Sequence, residues 1–119
     1  MIPSGFEYHA ASSVDDAIKL LAEHEDAKVL AGGHSLLPMM KLRFAEPAHL
    51  VDINGLDELK GIRLDGDWIH IGAMTTENEV IASDVLQQHC PLLVDAARLV
   101  ADPQVRNRGT IGGDIAHGD

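Results

Sequence analysis

The sequence predicts an α+β fold. Residues 1–55 form a small βαβαβ lobe with a parallel sheet, and residues 56–119 begin a second lobe built on an antiparallel sheet with helices. Three observations carry this expectation. Strand and helix patterns alternate across roughly the first fifty residues, the order that closes a parallel sheet. Beyond Gly55, two segments of alternating apolar and polar residues flank Asp65-Gly66-Asp67, a β-hairpin signal. Helical periods then return toward the C-terminal end.

Element by element, Phe6-Glu7-Tyr8 reads as a short opening strand. Ser13 is an N-cap, with Asp15 and Asp16 in the first turn, where the helix dipole favours negative charge. Val14, Ala17, Ile18 and Leu21 follow at i, i+3, i+4 and i+7, the apolar face of an amphipathic helix. Residues 28–31 form a strand that runs into Gly32-Gly33. Ser35 is placed to cap a helix over 36–44, with Pro38 in the first turn, where its missing N–H is harmless. Met39 and Met40, at helical spacing with Leu36, Leu37 and Leu42, read as core. Pro47 marks the exit, and residues 49–53 make the third strand.

In the second half, residues 61–65 and 68–72 pair as the hairpin, with Trp68 as hairpin packing. Thr76 caps a short helix reaching Ala82. Pro91 opens a helix over 91–101 with Leu92, Leu93, Ala96, Ala97 and Val100 on one side. Residues 105–111 lead to a second glycine pair, and the β-branched Thr110 and Ile111 suggest a strand end feeding Gly112-Gly113. The closing His117-Gly118-Asp119 lies in a polar stretch with no closing element, and an isolated hairpin is marginal. The expectation is therefore the N-terminal part of a longer polypeptide.

Nine Lys+Arg against 19 Asp+Glu give a net charge of −10 over 119 residues. The acidity is spread, −4 over residues 1–55 (four basic, eight acidic) and −6 over the rest (five and eleven). No basic half or tail exists to grip a polyanion, which argues against nucleic acid as partner. No apolar run reaches membrane-spanning length and no signal peptide opens the chain, so a cytoplasmic location is expected. A single cysteine, Cys90, excludes an internal disulfide and reads as a small, half-buried residue before Pro91. Seven histidines, at 9, 24, 34, 49, 70, 89 and 117, include no H-x-H or H-x-x-x-H pair, so no metal site is expected. There is no G-x-S-x-G elbow for a hydrolase, and His117 and Asp119 read as solvated loop rather than an acid–base pair.

The chemistry concentrates in two glycine turns. Ala31-Gly32-Gly33-His34-Ser35 lies between a strand and a helix, where free amides and the helix start can receive a phosphate. Glycine admits positive φ and lets an anion approach the backbone without a Cβ in the way. Gly112-Gly113 has the same character, and two such turns brought together would clamp a diphosphate. Strand–Gly-Gly–helix turns that bind nothing are also common, and both readings stay open from spacing alone. Neither G-x-G-x-x-G nor G-x-x-x-x-G-K-[ST] is present. Lys41, Arg43, Arg106 and Arg108 lie near these turns and either raise the local potential, face partners or form a solvated surface.

The segments 31–43 (AGGHSLLPMMKLR) and 101–113 (ADPQVRNRGTIGG) resemble the two flavin-binding segments of the medium subunit of molybdenum hydroxylases, the carbon monoxide dehydrogenase and xanthine dehydrogenase family. The opening Met1-Ile2-Pro3 and the stretch 71–76 (IGAMTT) resemble that subunit too, so the likeness spans the whole chain. The resemblance implies an FAD-binding domain of the vanillyl-alcohol oxidase type. Carried over, Ala31, Gly32, Gly33, His34, Ser35 and Leu36, together with Thr110, Ile111, Gly112, Gly113 and Asp114, surround the FAD diphosphate, and the helix ending near Ala101 approaches the adenine. His34 would then be a turn residue whose ring lies beside the cofactor. Relatives often carry Asn where this chain has Asp114, whose carboxylate must turn from a diphosphate, cap its own turn or accept from a sugar hydroxyl. The implied role is an electron-transfer subunit without catalytic side chains of its own. It works in a hetero-oligomer with an iron–sulfur small subunit, which holds 2Fe-2S clusters, and a molybdenum-cofactor large subunit. Any membrane association would come through that complex. A stand-alone flavoprotein oxidase or reductase of the same fold, and a truncated assembly subunit, are the alternatives.

Overall fold

The computed structural model describes residues 2–100 and 102–118; Met1, Ala101 and Asp119, which enter the readings above, lie outside them. The described chain divides into two compact units, Met1–Asp57 and Glu58–Asp119.

The first unit runs β1 (Glu7–Ala10), α1 (Val14–Glu23), β2 (Ala27–Leu30), α2 (Leu36–Lys41) and β3 (His49–Asp52). All pairing is parallel and β3 is the central strand, in the order β1-β3-β2. Glu7 and Ala27 both pair with His49, and Ala10 and Leu30 both pair with Asp52. The central strand therefore carries the buried Leu50 and Val51. The Ser13 hydroxyl accepts from the Asp16 amide at 3.0 Å, the expected cap. The first strand lies one residue later than its sequence signal, and Ile18 departs from the expected face. It is 59% exposed, while Ala17 is buried. A strand layer only three strands wide covers a narrow strip of the helix, and the rest of the apolar stripe stays open.

α2 stops at Lys41 rather than 44, because Leu42 caps it and Arg43 takes a left-handed φ of 59°. Met40 is buried, as the helical spacing required. Ser35 does not cap it: its backbone is already helical and its hydroxyl makes no cap bond. An N-cap needs extended backbone to aim its oxygen at the free amides, and Ser35 lacks it.

The second unit opens with a short 3-10 turn, Asp57–Leu59, and the antiparallel pair β4 (Ile62–Asp65) and β5 (Trp68–Ile71), in register from Ile62↔Ile71 to Asp65↔Trp68. Among the described residues the helices that follow are α3 (Glu77–Ala82), α4 (Asp84–His89), α5 (Pro91–Arg98), α6 (Pro103–Arg106) and α7 (Ile111–His117). Val80, Leu86, Val94 and Ala97 form the core, with Ile62, Ile69, Ile71, Cys90 and Leu93 packed against it. Each fully buried Val or Leu contributes roughly 1.5–3 kcal/mol. This helical cover stabilises a hairpin that would be marginal alone.

Several sequence expectations change here. α4 carries no long apolar period and was not expected; the Ser83 hydroxyl, accepting from the Leu86 amide at 3.2 Å, starts it. α5 ends at Arg98, and its inner face is Leu93, Val94 and Ala97, with Leu92 78% exposed. Trp68 is 73% exposed and does not pack the hairpin. The approach to the strand end expected at Thr110-Ile111 contains α6, with Asp102 Oδ1 accepting from the Val105 amide at 2.9 Å. Only one antiparallel bridge, Thr76↔Thr110, survives of that strand. The polar closing stretch is helical, ended by Gly118 at a φ of 74°.

Candidate functional site

The first glycine turn lies between β2 and α2. Gly33 adopts a φ of 88°, a conformation that calls for glycine; a Cβ there would meet Leu37 Cδ1 at 2.9 Å, a contact that the flexible leucine side chain can relieve. Asn54 anchors the turn. Its Nδ2 donates to the Ala31 carbonyl at 2.6 Å and to Asp52 Oδ1 at 2.7 Å. Among the described residues, the amides of Gly32, Gly33, His34, Ser35 and Leu36 donate to no acceptor within the chain, whereas Leu37 donates to the Gly33 carbonyl at 3.0 Å. His34 and Ser35 are exposed, and Leu36 is half-buried. Five consecutive donors facing no protein acceptor around a left-handed glycine suit an anion of phosphate type.

The second segment is built differently. Thr110 is the N-cap of α7 and its hydroxyl accepts from the Gly113 amide at 3.1 Å. Gly112 and Gly113 are therefore in the first turn of a helix, not in a strand-to-helix turn. Their amides are engaged: Ile111 donates to the Thr75 carbonyl at 3.0 Å, Gly112 to Ala73 at 2.9 Å, and Asp114 to Thr110 at 3.0 Å. The glycines also have an internal reason. A Cβ on Gly112 would lie 2.8 Å from both Ala73 Cβ and the Ala73 carbonyl oxygen, and one on Gly113 would lie 2.9 Å from the capping Thr110 oxygen. Free amides at the second segment, expected from the sequence, are thus not what the fold provides.

Asp114 does not turn to open solvent alone, because Glu77 is beside it. Glu77, at the start of α3, is 4% exposed, and its Oε1 meets no hydrogen-bond partner. Burial, then the hydrogen bond and charge of the neighbouring Asp114 carboxylate, push the Glu77 carboxyl up to about 8. The α3 dipole favours charge at this position by about 0.3–1 kcal/mol. Desolvating a carboxylate costs several times more, so the neutral acid prevails. Nothing in the sequence marked Glu77 apart from its place after Thr76; its burial depends on the Thr76–Thr110 bridge and on the Glu77 amide donating to Gly109 at 3.0 Å.

A pH dependence follows. The folded state holds this proton more tightly than the unfolded chain, so the contribution is complete below about 4.5 and is lost as pH rises through about 8. In melts at fixed ionic strength, Glu77→Gln is expected to flatten the fall in stability across that window and to keep the fold at the alkaline end. An unchanged slope would exclude Glu77 as its source.

The basic residues near the turns are partly occupied by backbone. Arg43 Nε donates to the Ile2 carbonyl at 3.3 Å and Arg106 Nη1 to the Arg98 carbonyl at 2.9 Å, while Lys41 and Arg108 are exposed. An open cleft of about 400 Å³ is lined by Glu58, Lys60, Arg63 and His70 on the hairpin side, and by none of the residues expected to bind cofactor.

Comparisons with known proteins agree with the likeness seen in the sequence. Residues 4–119 match the FAD binding domain in molybdopterin dehydrogenase. The chain is 66% identical over 119 residues to the carbon monoxide dehydrogenase medium chain of Hydrogenophaga pseudoflava, covering 99% of this chain and 42% of that protein. The solved carbon monoxide dehydrogenase of that organism, in a form lacking the Mo-pyranopterin moiety, superposes with a TM-score of 0.98 over 100% of this chain and 42% of that one, at 66% identity. Quinoline 2-oxidoreductase from Pseudomonas putida 86 superposes with a TM-score of 0.96 at 37% identity, again over 100% and 42%. The chain thus spans less than half the length of these relatives. No helix among the described residues is long and apolar enough to cross a membrane. With a match from residue 4 to residue 119, the chain belongs to the family of FAD-binding domains of molybdopterin dehydrogenases.

Proposed function

We propose that this chain binds FAD as part of the medium subunit of a molybdenum and iron–sulfur hydroxylase, and that electrons pass from iron–sulfur clusters through the flavin to a terminal acceptor. The observation that carries this reading is the run of unengaged amides from Gly32 to Leu36, in a chain whose family is defined by FAD binding. The residues fit the group: Gly33 keeps the turn open to a diphosphate, Asn54 engages the carbonyl of Ala31, and the exposed Ser35 hydroxyl makes no cap bond. When bound, FAD supplies the redox chemistry, accepting electrons and handing them on.

In the second unit, Thr110, Ile111, Gly112, Gly113 and Asp114 are the proposed cofactor-facing residues. With their amides engaged, Thr110 holds the turn in place and the two glycines keep side chains off it. Asp114, the neighbouring carboxylate that helps raise Glu77, is suited to accept from a sugar hydroxyl rather than to face phosphate. The domain assignment belongs to the same proposal: residues 1–55 as the first lobe of the FAD-binding domain and 56–119 as the start of the second. Partners are an iron–sulfur small subunit and a molybdenum large subunit. A carbon monoxide dehydrogenase and a quinoline oxidoreductase both carry this domain. Substrate choice is accordingly assigned to another subunit.

The test is the flavin content of the complete medium subunit. Denaturation is expected to release one FAD per chain, and the flavin-free subunit should recover its visible absorption on adding FAD. A colourless protein that takes up no FAD under any reconstitution would refute the reading and leave assembly as the role.

A further inference from the structure

The first unit gathers three histidines that lie far apart in the sequence. His9 is on β1, His49 begins β3, and His24 is the C-cap of α1. Glu7 pairs with His49 and His9 with Val51, so the two-residue period of the strands puts Glu7, His9 and His49 on one sheet face. The His24 ring stacks on both others, with centroids 4.9 Å from His9 and 3.9 Å from His49. His9 Nε2 lies 3.1 Å from His49 Nδ1. One ring nitrogen from each residue lies within 4.8 Å of the other two, and all three side chains are half-buried.

The geometry points to a divalent transition-metal site of the zinc class at His9, His24 and His49. Zinc–imidazole bonds of about 2.0–2.1 Å place the nitrogens of a tetrahedral site about 3.3–3.4 Å apart. The His9–His49 pair is already near that spacing; because the rings are stacked at 17–29° from parallel, binding requires the His24 ring to turn about χ1 and χ2 until its nitrogen, within 4.8 Å of the other two, points at the shared centre. Three further features favour a cation here. Glu7 Oε2 lies 3.6 Å from His49 Nδ1, on the same side as the other ligand nitrogens, and supplies a carboxylate within reach as fourth ligand. The last turn of α1 contains no basic residue, so no side chain of that turn compensates its carbonyl end. Among the described residues, no hydrogen bond satisfies the ring nitrogens of His24, which a ligand role would engage. Neutral imidazoles select zinc, copper or nickel over magnesium or calcium.

The full chain, freed of metal with a chelator, is titrated with Zn²⁺ and followed by calorimetry, by metal analysis after desalting, and by the visible spectrum after Co²⁺ substitution. One Zn²⁺ per chain is expected, with a raised unfolding temperature and the intense bands of four-coordinate cobalt. His24→Ala, which alters neither strand, is expected to weaken binding at least about tenfold while its metal-free unfolding temperature stays near the parent's. His70→Ala, on the hairpin, should bind as the parent does. Equal uptake by the parent and His24→Ala, the weak spectrum of octahedral cobalt, or no uptake by a folded parent chain would each overturn the site. If His24→Ala fails to fold, Glu7→Gln and His9→Gln replace it, and unaltered binding in both overturns the site in the same way.

Discussion

Replacing Gly72 by alanine is expected to be the most damaging single-methyl change in the second unit. Gly72 follows β5, and its amide donates to the Gly61 carbonyl at 2.8 Å, continuing the hairpin ladder. A Cβ at this position would fall onto the Leu59 carbonyl oxygen, 2.6 Å from the Leu59 carbonyl carbon and 2.8 Å from the Lys60 amide nitrogen. All three atoms are backbone, so no side-chain rotation relieves the clash. The same Leu59 oxygen accepts from the Met74 amide at 2.8 Å, so moving it also loosens the entry to α3. Overpacking of a well-filled interior costs about 1–3 kcal/mol, and a backbone-on-backbone clash stands at the top of that range or above. Against a total stability of about 5–15 kcal/mol, soluble yield should fall sharply. Chemical denaturation measures the loss; a Gly72→Ala protein as stable as the parent would show that this segment yields freely. Gly55→Ala, where a Cβ meets nothing within 4 Å, is the matched control.

Ser35→Asp is expected to separate cofactor binding from folding. Ser35 is exposed and its hydroxyl caps nothing, so the substitution removes no protein contact and the flavin-free unfolding temperature should hardly move. The new carboxylate would stand within the run of unengaged amides proposed to receive the FAD diphosphate. Like charges near a protein surface about 4 Å apart repel by up to about 4 kcal/mol, less when the side chain can swing away. An affinity loss of about 30- to 1000-fold, corresponding to roughly 2–4 kcal/mol, is therefore expected. Fluorescence titration of the flavin-free medium subunit measures it. Unchanged affinity would remove the first glycine turn from the diphosphate site, while a parallel loss of stability would mean that Ser35 serves the fold after all.

The legible and illegible parts of this molecule divide along a physical line. The caps at Ser13 and Thr76, the hairpin around Gly66 and the parallel first lobe were readable, because each depends on side chains and turn conformations within a few residues. The first glycine turn belongs to the same class: the left-handed φ of Gly33 is a local necessity. The second glycine pair was misleading, since Thr110-Ile111 looks like a strand end by β-propensity. The Thr110 hydroxyl reaching the Gly113 amide turns it into a helix start instead.

What the sequence alone determined was the order of elements in the first lobe and the hairpin, the family likeness and the two glycine segments, all written in short-range pattern. Tertiary structure decided which faces are covered, as the exposure of Ile18, Leu92 and Trp68 shows, because a periodic stripe does not reveal how wide its covering layer will be. It also decided two clusters that no spacing rule could disclose. Glu77 and Asp114 meet through the Thr76–Thr110 bridge, and His9 and His49 through a parallel register that joins residues 40 apart. Parallel strands are set side by side by the crossovers between them, so the neighbours they create leave no local trace in the chain.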